Sequence, residues 1–428
     1  METTTEQARA RARKFVVAWV FALAFYFLEY ASRSSPSVMI RQLAGAFHTT
    51  PLGVGTMLVL YYYTYSIMSL VAGAALDHLG AKRSVPLGTV ILAVGCVLFG
   101  APSLVAGDVG RLLQGAGSAF AFTGAVYLAT HGFSPNRLAT AIGVTQCLGM
   151  LGGAAGQFAV GPMIEHGLGA QAFWVGLGVL CLINAVLLFV ATPREQLGPH
   201  AASGGLAGLL RPYKIVFTNP QSYLCGIVAG LMFAPTTIGA MTWAIALFQR
   251  DEQLPYRSAV LAASMVPLGW VVGCPLLGWL SDRIGRRKPV IAGGAAVMTL
   301  AGIQIAWLPS LLPLPVTMFV FGVASGAAML PYSVIKEVNP DNVKGSATGG
   351  MNFLVFAITA VIGPIYAQEI GKTLASAPDP VAHLRESTLF WIICCVAAGV
   401  VSVFLRETGH RSPRPARDEE PLVGAVQT

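Results

Sequence analysis

The sequence predicts an all-α membrane protein with twelve transmembrane helices in two pseudo-symmetric six-helix halves. Three observations predict it. Of 428 residues, 55% are hydrophobic and only 11% charged, where a soluble globular chain is about one quarter charged. Apolar runs of about 18 residues or more, long enough to cross a bilayer, recur from one end to the other. Short polar signatures also repeat roughly 205 residues apart.

The spans are expected near residues 15–40, 51–76, 84–103, 106–131, 137–165, 170–192, 222–249, 257–280, 289–308, 313–337, 343–371 and 384–405. They lack the period-2 alternation of membrane strands, so helices are the expected spanning form. The first span is too long for a cleaved signal peptide, and it holds Glu29 and Arg33. A more polar stretch, 193–221, divides an N-terminal half (1–192) from a C-terminal half (222–405), and 406–428 forms a tail.

Orientation follows from the basic residues. With the N-terminus in the cytoplasm, 20 of the 27 Lys and Arg fall on inner segments. The outer loops keep only Arg41, Arg250, Arg257, Lys372 and Arg385. The linker, the tail and both termini are then cytoplasmic. This bias accounts for the net charge of +8, so the expected partner is the lipid bilayer and no nucleic acid. All seven cysteines fall inside spans, with no CxxC or Cys/His cluster. Neither a disulfide framework nor a metal site is indicated, and no cofactor is expected.

The repeat places Gly73, Asp77 and Gly80 after the second span against Gly278, Asp282 and Gly285 after the eighth, each pair 205 residues apart. Both copies run on into basic residues, Lys82-Arg83 and Arg286-Arg287-Lys288. Gly73 and Gly278 are expected to let helices approach closely. Asp77 and Asp282 sit at span ends, where each can pair with a cation such as Arg83 or Arg286, or cap a neighbouring helix. A latch of this kind holds two halves together on one face and releases on the other. Two repeated halves imply a binding site at their interface near the midplane.

Charge deep in a membrane is costly and usually functional. Glu29, Arg33 and Arg111 are the candidates. Glu29 and Arg33 share a helix face at i,i+4. They are either a structural ion pair, or an anion site (Arg33) beside a proton acceptor (Glu29). Arg111 is either a second member of the proton-coupling set or an interhelical strut. The C-terminal half offers no comparable buried charge. Gln146 and Asn352, repeat mates 206 residues apart, are the best neutral polar pair for a central site, and Tyr30, Tyr62 and Tyr65 are expected near the arginine face.

With these residues in view, the chain resembles the major facilitator superfamily over essentially its full length. Gly73…Asp77…Gly80…Lys82-Arg83 is similar to the family's inter-helix loop signature, with His78 in place of a basic residue. Arg111-Leu-Leu-Gln114-Gly115-Ala-Gly117 resembles its RxxQGxG motif of span four. The antiporter signature of span five is incomplete: Gly161-Pro162 is present, but Gln157 replaces an upstream glycine. The run from Phe25 to Met39, with Tyr61-Tyr62-Tyr63-Thr64-Tyr65, is similar to bacterial permeases of the phagosomal-transporter type. The Tyr30-x-x-Arg33 spacing also resembles anion:cation symporters and organophosphate antiporters, in which the matching arginine binds an anionic group. Ser32 and Ser118 stand where sugar-acid symporters carry acids, and the core of span seven has no charge, which argues against phosphate-ester exchange.

The resemblance implies the major facilitator fold and alternating access. The expected function is proton-coupled transport, by symport, of a small organic anion (a carboxylate) or an amino acid. Its partners are that solute and protons, and the chain is expected to work as a monomer in a bacterial plasma (inner) membrane. An exporter of amphipathic compounds and a non-transporting membrane receptor are the alternatives. No HExxH, GxSxG, Walker or strand-linked GxGxxG motif is present, so no enzymatic activity is expected.

Overall fold

The computed structural model describes residues 2–133, 135–194, 205–307, 311–340, 343–376 and 380–409. Among them are 12 helices long and apolar enough to cross a membrane. Spans 1 to 6 are Ala10–Val38, Pro51–Leu76, Ala81–Phe99, Leu104–Gly132, Ala141–Glu165 and Ala170–Ala191. Spans 7 to 12 are Pro220–Arg250, Tyr256–Ile284, Lys288–Ala306, Leu314–Glu337, Ser346–Ile370 and His383–Ser402. A linker helix, Gly205–Thr218, lies between spans 6 and 7.

Local chemistry sets the ends. Thr50 caps span 2, accepting from Gly53 N at 3.1 Å, and Pro51 follows in the first turn. Asn219 caps span 7 in the same way through Gln221 N at 3.0 Å, again followed by a proline, Pro220. Spans 2 and 8 stop at Gly80 and Gly285, with φ of 73° and 71°. Side chains are disfavoured there, so the repeated glycines are backbone requirements.

Spans 1 to 6 pack largely among themselves, as do spans 7 to 12. The main crossings join span 2 to span 11 and span 5 to span 8. Because spans 2 and 8, and spans 5 and 11, are repeat mates, these two contacts are equivalent under a pseudo-two-fold axis.

Span 7 is not a uniform α-helix: Pro235–Trp243 is π-helical. Pro235 has no N–H to donate. Thr237 and Thr242 hydroxyls donate to the carbonyls of Phe233 (3.1 Å) and Thr237 (2.9 Å), competing with the α ladder. The wide turn frees the Ala240 carbonyl, which accepts from Gln157 Nε2 at 3.3 Å. Gln157 also donates to Ser37 Oγ at 3.1 Å. Its departure from the antiporter pattern thus ties span 5 to spans 1 and 7.

The interface between the halves is shut on both faces. On the face bearing the N-terminus, the terminal face, Ser66 Oγ donates to Phe353 O at 2.8 Å. Tyr213 of the linker helix donates to Leu70 O at 3.3 Å. On the opposite face, Tyr256 donates to Val38 O at 2.7 Å. The Trp243 ring there fills the space above Gly55, where an added Cβ would overlap it. Between the seals lies a central cavity of only about 20 Å³.

Candidate functional site

Span 1 carries Glu29 and Arg33 one turn apart, with acid before base, the favourable i,i+4 order. Both side chains are wholly buried and paired. Tyr61 of span 2 completes the group. Its hydroxyl donates to Glu29 Oε1 and accepts from Arg33 Nη2 at 3.0 Å and Nε at 3.3 Å. Two atoms of the pair have no partner, Glu29 Oε2 and Arg33 Nη1.

Rings enclose the guanidinium. Arg33 Cζ lies 4.3 Å from the Tyr30 ring centre, 5.1 Å from Tyr61, 5.0 Å from Tyr65 and 5.2 Å from Phe356. Three of these come from the N-terminal half, and Phe356 comes from span 11. The cage is therefore closed by a residue that belongs to the other side of the interface. Cation–π contacts of this kind gain when water is absent.

Tyr30, Tyr65, Gln146 and Asn352 all line the central cavity, together with Tyr26, Phe122, Phe233, Trp270 and Tyr332. Tyr26 donates to Gln146 Oε1 at 3.3 Å and Tyr332 to Asn352 Oδ1 at 2.7 Å. Asn352 Nδ2 and Trp270 Nε1 are buried donors without a partner. Tyr62 is displaced from the cavity wall and stacks on Phe356, with ring centres 6.1 Å apart. Tyr61 is not among the site residues expected from sequence. The signal that finds it is the i,i+4 step back from Tyr65, which places both rings over Arg33.

Arg111 does not reach Glu29. It donates to Ser32 O at 3.2 Å and to Gln114 Oε1, and Gln114 Nε2 donates to Gly95 O at 3.3 Å. The geometry is that of a strut between spans 4, 1 and 3, the structural alternative for this residue. The glycines of the same motif permit close helix contact: a Cβ at Gly115 would run into Tyr61 O, and one at Gly117 into Leu92 N. Gly115→Ala is therefore expected to cost about 1–3 kcal/mol by overpacking and to displace Tyr61. Thermal unfolding in detergent checks this, with Gly143→Ala, where a Cβ meets nothing within 4 Å, as the unaffected control.

The loop signature corrects two expectations. Gly278 does not serve close approach, since nothing lies within 4 Å of its added Cβ, whereas Gly73 makes room for the Tyr213 hydroxyl of the linker helix (2.9 Å). Asp282 pairs with Arg287 at 2.5 Å rather than with Arg286, which is exposed. The reason is the left-handed Gly285 turn, which swings the chain so that Arg287 also reaches Glu337 of span 10 at 3.0 Å. Arg83 is exposed, and the Asp77 side chain lies outside the described residues. Asp282→Asn removes this pair, which lies wholly within the C-terminal half, and is expected to slow turnover several-fold without changing substrate affinity, on the reading that the loop signature biases a conformational equilibrium. Equal turnover in wild type and mutant, at matched expression, would show the pair to be incidental.

The C-terminal half also buries an acid and an imidazole, at span ends rather than deep within a span. Asp251 and His383 are 0% and 1% exposed, with Oδ2 2.6 Å from Nδ1. In sequence Asp251 sits in a polar loop, Arg250-Asp-Glu-Gln. The start of span 12 folds over it and removes it from water.

A family model, the Major Facilitator Superfamily, matches residues 22–364. The chain belongs to the major facilitator superfamily. It is a multi-pass membrane transporter with the major facilitator fold, and not an enzyme. The drug efflux pump JefA of Mycobacterium tuberculosis is 24% identical over 83% of this chain and 82% of its own length. The citrate-proton symporter of Klebsiella pneumoniae is 26% identical over 69% and 70% respectively. The sugar transporter ERD6-like 8 of Arabidopsis thaliana is 23% identical over 70% and 74%. Among solved structures, a mutant form of the nucleoside transporter NupG superposes with a TM-score of 0.71 at 14% identity, covering 91% of this chain and 99% of that one. A bacterial homolog of the human lysosomal transporter Spinster, inward-facing and occupied, gives 0.67 at 16% identity, covering 90% and 96%. These likenesses establish the fold and span several cargo classes.

Proposed function

We propose that this major facilitator protein is a proton-coupled symporter of a small organic anion, a carboxylate or an amino acid. Glu29 is the proton site and Arg33 the anion site. The terminal face is cytoplasmic in a bacterial inner membrane, as the basic-residue bias requires, and the monomer is the working unit.

One observation carries the reading. Glu29 and Arg33 neutralise each other in a sealed interface, each keeps one unpartnered polar atom, and the lid over Arg33 is Phe356 of the other half. Occlusion desolvates whatever charge the site holds, so neutral states are strongly favoured. Two states are neutral. In the empty one, ionised Glu29 faces Arg33. In the loaded one, protonated Glu29 stands aside while the substrate carboxylate takes Arg33. For a cargo with one net negative charge, a proton without cargo, or cargo without a proton, leaves one net charge buried. Rocking of the halves is then permitted only when proton and anion are both present or both absent, which is symport.

The aromatic walls of the cavity, Phe122, Phe233, Trp270 and Phe356, favour a second reading. In it the cargo is amphipathic and leaves the cell, in line with the similarity to an efflux pump. Uptake into proteoliposomes separates the two. With acid outside, the monoanions pyruvate, lactate or glutamate should accumulate in proportion to the pH gradient, above the level reached in protein-free liposomes. Uptake indifferent to the gradient for all three, with gradient-driven movement of an uncharged amphipathic dye, would favour export.

A further inference from the structure

On the face opposite the termini, a cavity of about 640 Å³ opens between the halves. It sits above the Tyr256–Val38 and Trp243–Gly55 seals, and its size is that of a small-molecule site. The N-terminal half contributes Arg41 and Gln42 from a short helix, Ile40–Ala46. The C-terminal half contributes Arg250, Gln249 and His383.

The charge of this cavity runs against the rule that governs the rest of the chain. Basic residues are sparse on this face, and the topology bias would remove them. Two of the five outer cations, Arg41 and Arg250, nevertheless line this one cavity. One acid, Glu165, also lines the cavity, but it is engaged by Arg257 at 2.8 Å, and the nearby Asp251 is engaged by His383 at 2.6 Å. Among the described residues no carboxylate pairs with Arg41, and the approach of Arg250 to Asp251 is a loose 3.8 Å. His383 lines the cavity and is buried, and its Nε2 has no partner. Because Nδ1 is held by Asp251, Nε2 is the ring nitrogen left for a ligand.

We propose that this cavity is an entry site for a small organic anion, occupied before the central site opens. Arg41 and Arg250 attract the anion, His383 fixes it, and Asp251 positions His383. The inference rests on the reading of the cargo as an anion. Like-signed charges lining a recessed site raise the local concentration of a counter-ion by about tenfold or more.

The test uses a cysteine in the cavity wall, Ala246→Cys, in the full chain purified in detergent, with the unsubstituted protein as background. The probes are 2-sulfonatoethyl methanethiosulfonate, a small organic anion, and its trimethylammonium counterpart. Rates are normalised to those of free cysteine. The anionic reagent should be favoured by about tenfold. Arg41→Gln with Arg250→Gln should erase the preference, and benzoate or citrate should protect the introduced thiol less well after His383→Gln. A ratio equal to that of free cysteine, or one unaltered by neutralising both arginines, overturns the entry site. The central reading fails separately. If the preference stands while Arg33→Ala leaves carboxylate affinity intact, the entry site survives and the assignment of Arg33 does not.

Discussion

Glu29→Gln is expected to abolish proton-driven accumulation, by tenfold or more on the scale of a one-unit pH gradient, while exchange of labelled for unlabelled substrate persists. Glutamine imitates the protonated acid and cannot release a proton. With cargo on Arg33, the site of the mutant is neutral and the halves can rock. Without cargo it holds a lone buried guanidinium, so the empty return step is blocked. The same logic predicts a stability signature. Leaving Arg33 unpaired costs about 3–5 kcal/mol, and an added carboxylate should recover part of it. The melting temperature should therefore rise more with substrate in the mutant than in wild type. Normal gradient-driven accumulation by a stable Glu29→Gln protein would remove Glu29 from the coupling.

Arg33→Ala is expected to lose carboxylate binding by a factor of about 100 or more, the equivalent of one lost charge-assisted pair of about 3 kcal/mol. Arg33→Lys should recover little of it, because an ammonium lacks the planar fork that meets both Tyr61 and a carboxylate. Ala also strands Glu29 beside Tyr61, so the variant should fold best at low pH, where the acid is protonated. Isothermal titration with the carboxylate that wild type transports supplies the readout. Wild-type affinity in a well-folded Arg33→Ala protein would move the anion site elsewhere.

The spans and their repeat were legible because hydropathy and glycine spacing are properties of a single segment. The charge pair was legible for the same reason, being i,i+4 on one helix. Its surroundings were not. Tyr61 and Tyr62 are neighbours in sequence, and only the rotation of span 2 against span 1 decides which hydroxyl meets Glu29. Arg111 had two readings in sequence, coupling residue or strut, and its contacts with Gln114 and the Ser32 carbonyl are visible only in the fold. Asp251 lies among polar sequence neighbours that give no sign of its burial against His383, 132 residues away. Gly278 matched Gly73 in sequence, but only Gly73 has a hydroxyl from the linker helix seated on it. In each case the missing information was a partner distant in the chain.

The wide turn of span 7 also fixes where the transporter tolerates a change of length. Each π turn carries about one residue more than an α turn, so Pro235–Trp243 takes up an extra residue without rotating the two ends of the span against each other. Removing one residue there would let the turn relax to α geometry with both ends still facing as before. Trp243 would keep its place over Gly55, while the same deletion in a uniform helix would rotate everything beyond by about 100°, the angle per residue of a 3.6-residue turn, and throw its buried face out of register. Span 7 thus holds one residue in reserve, and a single-residue deletion there is a change of length its gate can absorb.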